Sequence, residues 1–62
     1  MQAEPVVGSW WRSTHARGQL FRYDGKTSKG AYRFTKFSEA DRMTVLSEIE
    51  IFNLEPMERL SE

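Results

Sequence analysis

The feature that most constrains the fold is residues 19–37, where two aromatic-rich runs flank a polar loop. Asp24 and Gly25 open this loop, and Gly30 closes it. Two runs of aromatic and β-favouring residues separated by such a turn predict a β-hairpin. The rest of the chain is therefore expected to pack around this hairpin.

The alternation of side chains predicts a register for the hairpin. Setting Asp24 opposite Ala31, with residues 25–30 as the loop, pairs Tyr23 with Tyr32, Phe21 with Phe34, and Arg22 with Arg33. We expect the four aromatic side chains to form a core on one face and the two arginines to share the other. Opposed arginines repel, so their face requires an anion, supplied either by a ligand or by the acidic half of the chain.

Length and composition limit what the chain can build. With 62 residues, we expect one domain, residues 1–62, with segments 1–7 and 58–62 frayed. The chain has no cysteine, so stability must come from apolar packing or oligomerisation. No window is long and apolar enough to cross a membrane, and the first residues lack the order of a signal peptide, which predicts a cytoplasmic protein.

The net charge of zero hides a strong asymmetry. Residues 1–37 carry seven Lys or Arg against Glu4 and Asp24, whereas residues 38–62 carry seven Asp or Glu against Arg42 and Arg59. This asymmetry indicates either an electrostatic partner or internal neutralisation on folding.

Residues 9–14 favour a first strand, in which one of Trp10 and Trp11 turns inward and the other leans on an edge or faces a ligand. The pattern does not decide which. Residues 15–18 are expected to form the turn into the hairpin, with Gly18 free to take a positive φ.

Two interpretations fit the chain after residue 37. A capping-box pattern at residues 38–41 and apolar residues spaced by three support a helix at about 39–50. Against it, Ile49 and Ile51 alternate with glutamates in a β-branched run. We favour a turn at 38–41, a strand at 42–46, a short helical turn at 47–52 and a last strand at 53–57.

Several short patterns together resemble a known class of domain. They are Gly-x-Trp-Trp-Arg at residues 8–12, a glycine before an aromatic strand, a second strand after a basic loop, and Phe-Asn-Leu-Glu-Pro at residues 52–56. This arrangement resembles the small SH3-like or Tudor-like barrels found as single domains among bacterial and bacteriophage proteins. The chain lacks the acidic first loop and the ALYDY-type strand of peptide-binding SH3 domains, which argues against proline-rich ligands.

The resemblance implies a mainly β fold, a small five-stranded SH3-like barrel with a short helical turn near residues 47–52. The alternative is a small α+β fold, in which an antiparallel sheet packs on one helix at about 39–50. Barrels of this class commonly bind peptides or nucleic acids on a loop-lined face, and the resemblance transfers no functional residue.

No pattern predicts catalysis, a metal or a cofactor. Residues 25–27, Gly-Lys-Thr, match the end of a phosphate-binding loop, but Leu20 stands where the required glycine would lie. His15 is the only histidine, and no serine lies in a nucleophile elbow. We therefore predict that the chain is not an enzyme.

The strongest candidate site is a cationic strip with aromatic neighbours. Its predicted members are Arg12, Arg17, Arg22, Lys26, Lys29 and Arg33, with Trp10 and Trp11 as stacking surfaces. The first hypothesis is a non-catalytic binding module that contacts nucleic acid or another anionic partner through this strip. The second is a protein-interaction adaptor or inhibitor that uses the acidic C-terminal half and an exposed Trp, and it includes a homodimer formed through an open edge strand.

Overall fold

The computed structural model describes residues 5–15 and 18–60. Its strands are β1 (Trp10–Ser13), β2 (Gln19–Lys26), β3 (Tyr32–Ser38), β4 (Val45–Ile51) and β5 (Met57–Arg59). They form one sheet in the order β4-β3-β2-β1-β5, and every neighbouring pair is antiparallel. The prediction of a mainly β domain with five strands is confirmed.

The register between β2 and β3 differs from the predicted one by two residues. Tyr23 lies opposite Phe34 rather than Tyr32, and Phe21 lies opposite Lys36. Because side chains alternate with a period of two, a shift of two residues leaves each side chain on its predicted face. The aromatic face therefore forms as expected although its cross-strand partners are different.

The loop of the hairpin, together with a β-bulge at Asp24, accounts for this shift. It comprises residues 27–31, because the Thr27 N–H donates to the Ala31 carbonyl at 2.8 Å and the Gly30 N–H donates to the Thr27 carbonyl at 3.0 Å. The Thr27 hydroxyl accepts two further backbone N–H groups of the loop. Gly30 takes a φ of +83°, in the left-handed region that favours glycine.

The core forms on one face of the central strands. Phe21, Tyr23 and Phe34 are 4%, 2% and 0% exposed. The Phe34 ring meets the Phe21 ring edge-on at a centroid distance of 6.3 Å and the Tyr23 ring at 5.4 Å. The partly buried side chains packed around them are Trp11, Tyr32, Ile49, Ile51, Leu54 and Met57.

The connection between β4 and β5 covers this core. The two strands lie at opposite edges of the sheet, so residues 52–56 must cross one face, and Leu54 packs against the core there. Four strand spacings across a flat sheet measure about 19 Å. The Met57 N–H donates to the Leu54 carbonyl in a tight turn, so six residue steps that include this turn span only about 17 Å. The sheet must therefore curl around its core.

Both predictions for the segment before this connection are wrong. β4 is a strand over residues 45–51, so neither a helical turn at 47–52 nor a helix at 39–50 is present. The two isoleucines of β4 alternate with glutamates, which places them on the core face, opposite aromatic residues of β3. Ile49 lies opposite Phe34, and Ile51 lies opposite Tyr32. A helix would turn the two isoleucines in different directions.

The predicted barrel is not closed. β4 and β5 are the two edges, and no pairing joins them in the described part of the chain. β5 begins at Met57, later than the predicted strand at 53–57, because the turn at Leu54 precedes it. Its last two residues lie in the segment expected to be frayed, and residues 61 and 62 lie outside the description.

The packing of Phe34 predicts a large loss of stability on truncation. Phe34→Ala should lower the free energy of unfolding by about 3 to 5 kcal/mol, because it leaves a cavity at the centre of the core. A core this small supplies a similar total, so the variant should lose its cooperative unfolding transition.

Urea unfolding followed by tryptophan fluorescence measures this effect. The matched control is Phe52→Ala, since Phe52 is 72% exposed and its truncation should change stability little. Similar unfolding curves for the two variants would contradict this placement of the core.

Candidate binding surface

The hairpin face opposite the core carries two of the arginines that the sequence singles out. Arg22 lies opposite Thr35, and Arg33 lies opposite Gly25, so the predicted pairing of the two arginines is wrong. The two-residue change in register moves them apart, and a β-bulge at Asp24 adds one residue to β2.

Asp24 links the two strands at this bulge. One carboxylate oxygen, Oδ1, accepts from Arg22 Nε at 3.2 Å, and the other accepts from the Thr35 hydroxyl. Thr35 is buried, so this hydrogen bond satisfies a hydroxyl that water does not reach well. The bulge therefore supplies Arg22 with an anion from its own strand.

Two further arginines of the strip pair with the acidic half of the chain. Arg33 Nη2 donates to Glu48 Oε1 at 2.6 Å, and Arg12 Nη2 donates to Glu58 Oε1 at 3.1 Å. The hydrogen bond and negative charge of Glu48 raise the pKa of Arg33 above its ordinary value. Folding thus neutralises three members of the predicted strip with the chain's own carboxylates.

Lys26 and Lys29 lie at the same end of the hairpin, although Lys26 is the last residue of β2 and only Lys29 lies in the loop. Lys26 Nζ is 5.2 Å from the centroid of the Tyr32 ring, within the range of a cation–π interaction. Lys29 is exposed in the loop and makes no ion pair with a described residue. Arg17 lies outside the described residues.

Trp11 is the tryptophan that turns inward. Its ring meets Phe34 edge-on at 6.1 Å, and its Nε1 donates to Ser9 Oγ at 2.8 Å. It belongs to the core face, which resolves the choice that the sequence left open.

Trp10 lies on the opposite face, beside a second apolar patch that sequence analysis missed. The Trp10 ring packs on the Phe37 ring at a centroid distance of 5.3 Å. The Arg22 guanidinium lies 5.0 Å from the centroid of the Phe37 ring. Phe37 and its cross-strand partner Leu20 are only 5% and 4% exposed. The sequence signal for this second patch was the pair of adjacent apolar residues at 20–21, because two neighbouring apolar residues in a strand indicate that both faces of the strand are covered.

β4 is the other feature missing from the predicted site. It pairs with β3 on one side, and its other side has no strand partner among the described residues. Glu48 and Glu50 are exposed on its outer face, and a bulge separates residues 45 and 47. The large apolar side chains at its two ends are exposed: Met43 (88%), Val45 (56%), Leu46 (46%) and Phe52 (72%). Exposed apolar groups beside an unpaired edge are typical of an interaction site.

Among residues 5–15 and 18–60, His15 is exposed, and no three His, Asp or Glu side chains gather to hold a metal ion. Every buried side-chain nitrogen or oxygen there has a hydrogen-bond partner. A polar hollow of about 440 Å³ is lined by Arg12, Ser13, Thr14, Glu39 and Glu58, of which the arginine and the last glutamate form an ion pair.

Comparisons with known proteins give no relative: no family model, curated protein or solved structure matches this chain. The described residues contain no helix long and apolar enough to span a membrane.

The turn before β4 contains a carboxyl whose pKa is lowered by its hydrogen bonds. The Asp41 carboxylate accepts from the Thr44 hydroxyl and from the Met43 N–H, the latter at 3.0 Å. These two hydrogen bonds, the first above all, hold the pKa of Asp41 below its ordinary value. Thr44 also donates its N–H to the Asp41 carbonyl at 3.0 Å, so this pair sets where β4 begins.

We expect Thr44→Val to raise the pKa of Asp41, because the substitution removes the hydroxyl donor. Since the folded pKa lies below the unfolded value, Asp41 stabilises the fold above the unfolded pKa, and this contribution is lost as pH falls through the folded pKa. Acidification should therefore narrow the stability difference between wild type and Thr44→Val.

A carboxyl-detected NMR titration measures the pKa, and urea unfolding at pH 7 and at low pH measures the stability. Ser28→Ala, in the other hairpin loop, is the control and should leave the Asp41 titration unchanged. An Asp41 pKa that is the same in wild type and Thr44→Val would refute this description of the turn.

Proposed function

We propose that this chain is a non-catalytic binding module that holds an extended segment of a partner protein along the free edge of β4. The observation that carries the proposal is a seven-residue strand with an unpaired edge in the described part of the chain, bordered by exposed apolar side chains. Strand addition to such an edge is a common mode of peptide recognition.

The main chain of β4 supplies the hydrogen-bonding groups for this mode. In an antiparallel ladder, alternate residues direct their N–H and C=O groups away from the existing neighbour. Seven residues therefore offer about three such pairs of groups to an added strand. β5, the other edge, has three residues and offers about one.

The charges on the sheet face opposite the aromatic core also favour a protein partner. Arg12, Arg22 and Arg33 each pair with a carboxylate of this chain, so a phosphate backbone would meet alternating charges there rather than a continuous basic strip. Such exposed ion pairs are individually weak. Their acidic members would nevertheless repel a polyanion as strongly as the arginines attract it.

The fold and the exposure of the charged side chains fit the same proposal. Five antiparallel strands in a curled sheet support the finer assignment to SH3-like or Tudor-like domains, a class that commonly binds peptides or nucleic acids. The described Asp, Glu, His, Lys and Arg side chains are exposed or half-buried, and a domain with so small an interior would exclude water poorly from a reaction.

Nucleic-acid binding through the hairpin is a second candidate function. It is favoured by the placement of Trp10 directly opposite Arg22 on one face, which joins a stacking ring to a cation. Lys26 and Lys29 lie at the loop end of the same hairpin and would steer a phosphate backbone.

One NMR experiment tests both functions. Linear peptides selected from a random displayed library are titrated into the labelled full chain, and mixed DNA and RNA oligonucleotides are titrated separately. We expect the peptides to shift amide signals of residues 45–51, with weak dependence on salt, because backbone pairing is not a long-range charge effect. The control is each peptide with a central proline, which cannot complete the ladder.

Two results would overturn the strand-addition proposal. One is a set of peptide shifts confined to the hairpin or unaffected by the central proline. The other is oligonucleotide binding that shifts Arg22, Lys29 and the Trp10 indole and weakens steeply with salt, which would establish the second candidate instead.

A further inference from the structure

We infer that the segment bound by β4 is a strand in which Lys or Arg residues alternate with apolar or β-branched residues. The inference rests on the proposed function and adds the chemistry of the partner. It is carried by the charges of β4, by the pattern of the strand it already pairs with, and by the charges of both sheet edges.

The charges of β4 lie on one face and are only partly matched. Glu48 and Glu50 are two residues apart, so they point to the same side of the sheet, and both are exposed. Arg33 pairs with Glu48, whereas Glu50 makes no ion pair with a described residue. A residue directly opposite either glutamate on an added strand would have its Cβ about 5 Å away, within reach of an ion pair.

β3 shows which sequence pattern this strand accepts. On its inner side, β4 pairs with outward residues Arg33 and Thr35, which lie opposite Glu50 and Glu48. The inward residues of β3 are aromatic and face the two isoleucines of β4. Opposite the two glutamates, β3 thus places one basic residue and one threonine. A strand on the outer side of β4 meets the same alternation of carboxylate and isoleucine, and basic residues that alternate with apolar ones complement it.

The apolar half of this pattern has a place to pack. Ile49 and Ile51 are only partly buried, although they belong to the core. Inward side chains of an added strand would cover the exposed part of both isoleucines. The partner segment would thus extend the core by one strand while its basic residues stay in water.

A second copy of this chain does not provide such a segment. A two-fold dimer through β4 pairs the strand with itself, and registers centred on Glu48, Ile49 or Glu50 set glutamates opposite glutamates, which is destabilising. Registers centred nearer residue 45 meet the bulge. The other described edge, β5, carries Glu58 on its outer face and is again acidic there.

The test uses capped seven-residue peptides titrated to millimolar concentration into the labelled full chain. In the first peptide Arg alternates with Val, in the second Thr replaces Arg, and in the third Glu replaces Arg. We expect the Arg peptide to shift amides of residues 45–51 and to bind about three- to tenfold more tightly than the Thr peptide, since two opposite-charge cross-strand pairs are added. The Glu peptide should not bind.

Two controls separate charge from backbone pairing. Glu50→Gln should reduce affinity for the Arg peptide several-fold, whereas Glu39→Gln, at an exposed glutamate outside β4, should not change it. In the bound Arg peptide, every second backbone N–H would point toward β4. N-methylation of these amides should abolish binding, whereas N-methylation of the amides that point away from β4 should be tolerated.

The outcomes distinguish the two proposals. Equal binding of the Arg and Thr peptides at β4 would overturn the inferred chemistry and leave strand addition standing. Binding that survives both methylation patterns, or shifts on the hairpin for every peptide, would overturn strand addition itself. No shift with any of the three peptides would overturn the inferred chemistry, and the library selection would then decide strand addition alone.

Discussion

The fold depends on covering one aromatic face with a very short connection. Phe34 is fully buried although its sheet is a single layer, because the sheet curls and residues 52–56 cross the open side with Leu54 against the core. A longer connection would permit a flatter sheet and leave the aromatic core exposed to water. The same connection separates β4 and β5 at opposite edges, so it also leaves β4 unpaired on its outer side.

Charge is distributed by the same topology. The acidic second half of the chain enters the sheet as β4 and β5, next to basic strands on either side, and Glu48 and Glu58 meet Arg33 and Arg12 there. A sequence asymmetry that suggested an external polyanion is therefore neutralised in part inside the domain, by these two ion pairs between the halves. On the open edge, Glu50 makes no ion pair with a described residue, and this negative charge directs attention from nucleic acid to a basic protein segment.

In the central hairpin, the alternation of side chains predicted the faces of the strands but not their cross-strand partners. Alternation assigned Phe21, Tyr23 and Phe34 correctly to the core, because burial of an apolar face tolerates any register shift of two residues. The partners across the strands were wrong, since they depend on the turn at Thr27 and on the bulge at Asp24, and neither leaves a clear trace in local composition. The direct pairing of Arg22 with Arg33 depended on those partners and is absent, and each of the two arginines pairs with a carboxylate of the chain.

The sequence by itself determined the strand-forming hairpin, the face on which its aromatics lie, and the apolar and acidic alternation around Ile49. These features follow from local periodicity, which a chain carries wherever it packs. The tertiary structure decided that residues 45–51 are an edge strand, that Trp11 rather than Trp10 turns inward, and that the arginines find internal carboxylates. Those outcomes depend on contacts between residues far apart in the chain, which local periodicity does not specify.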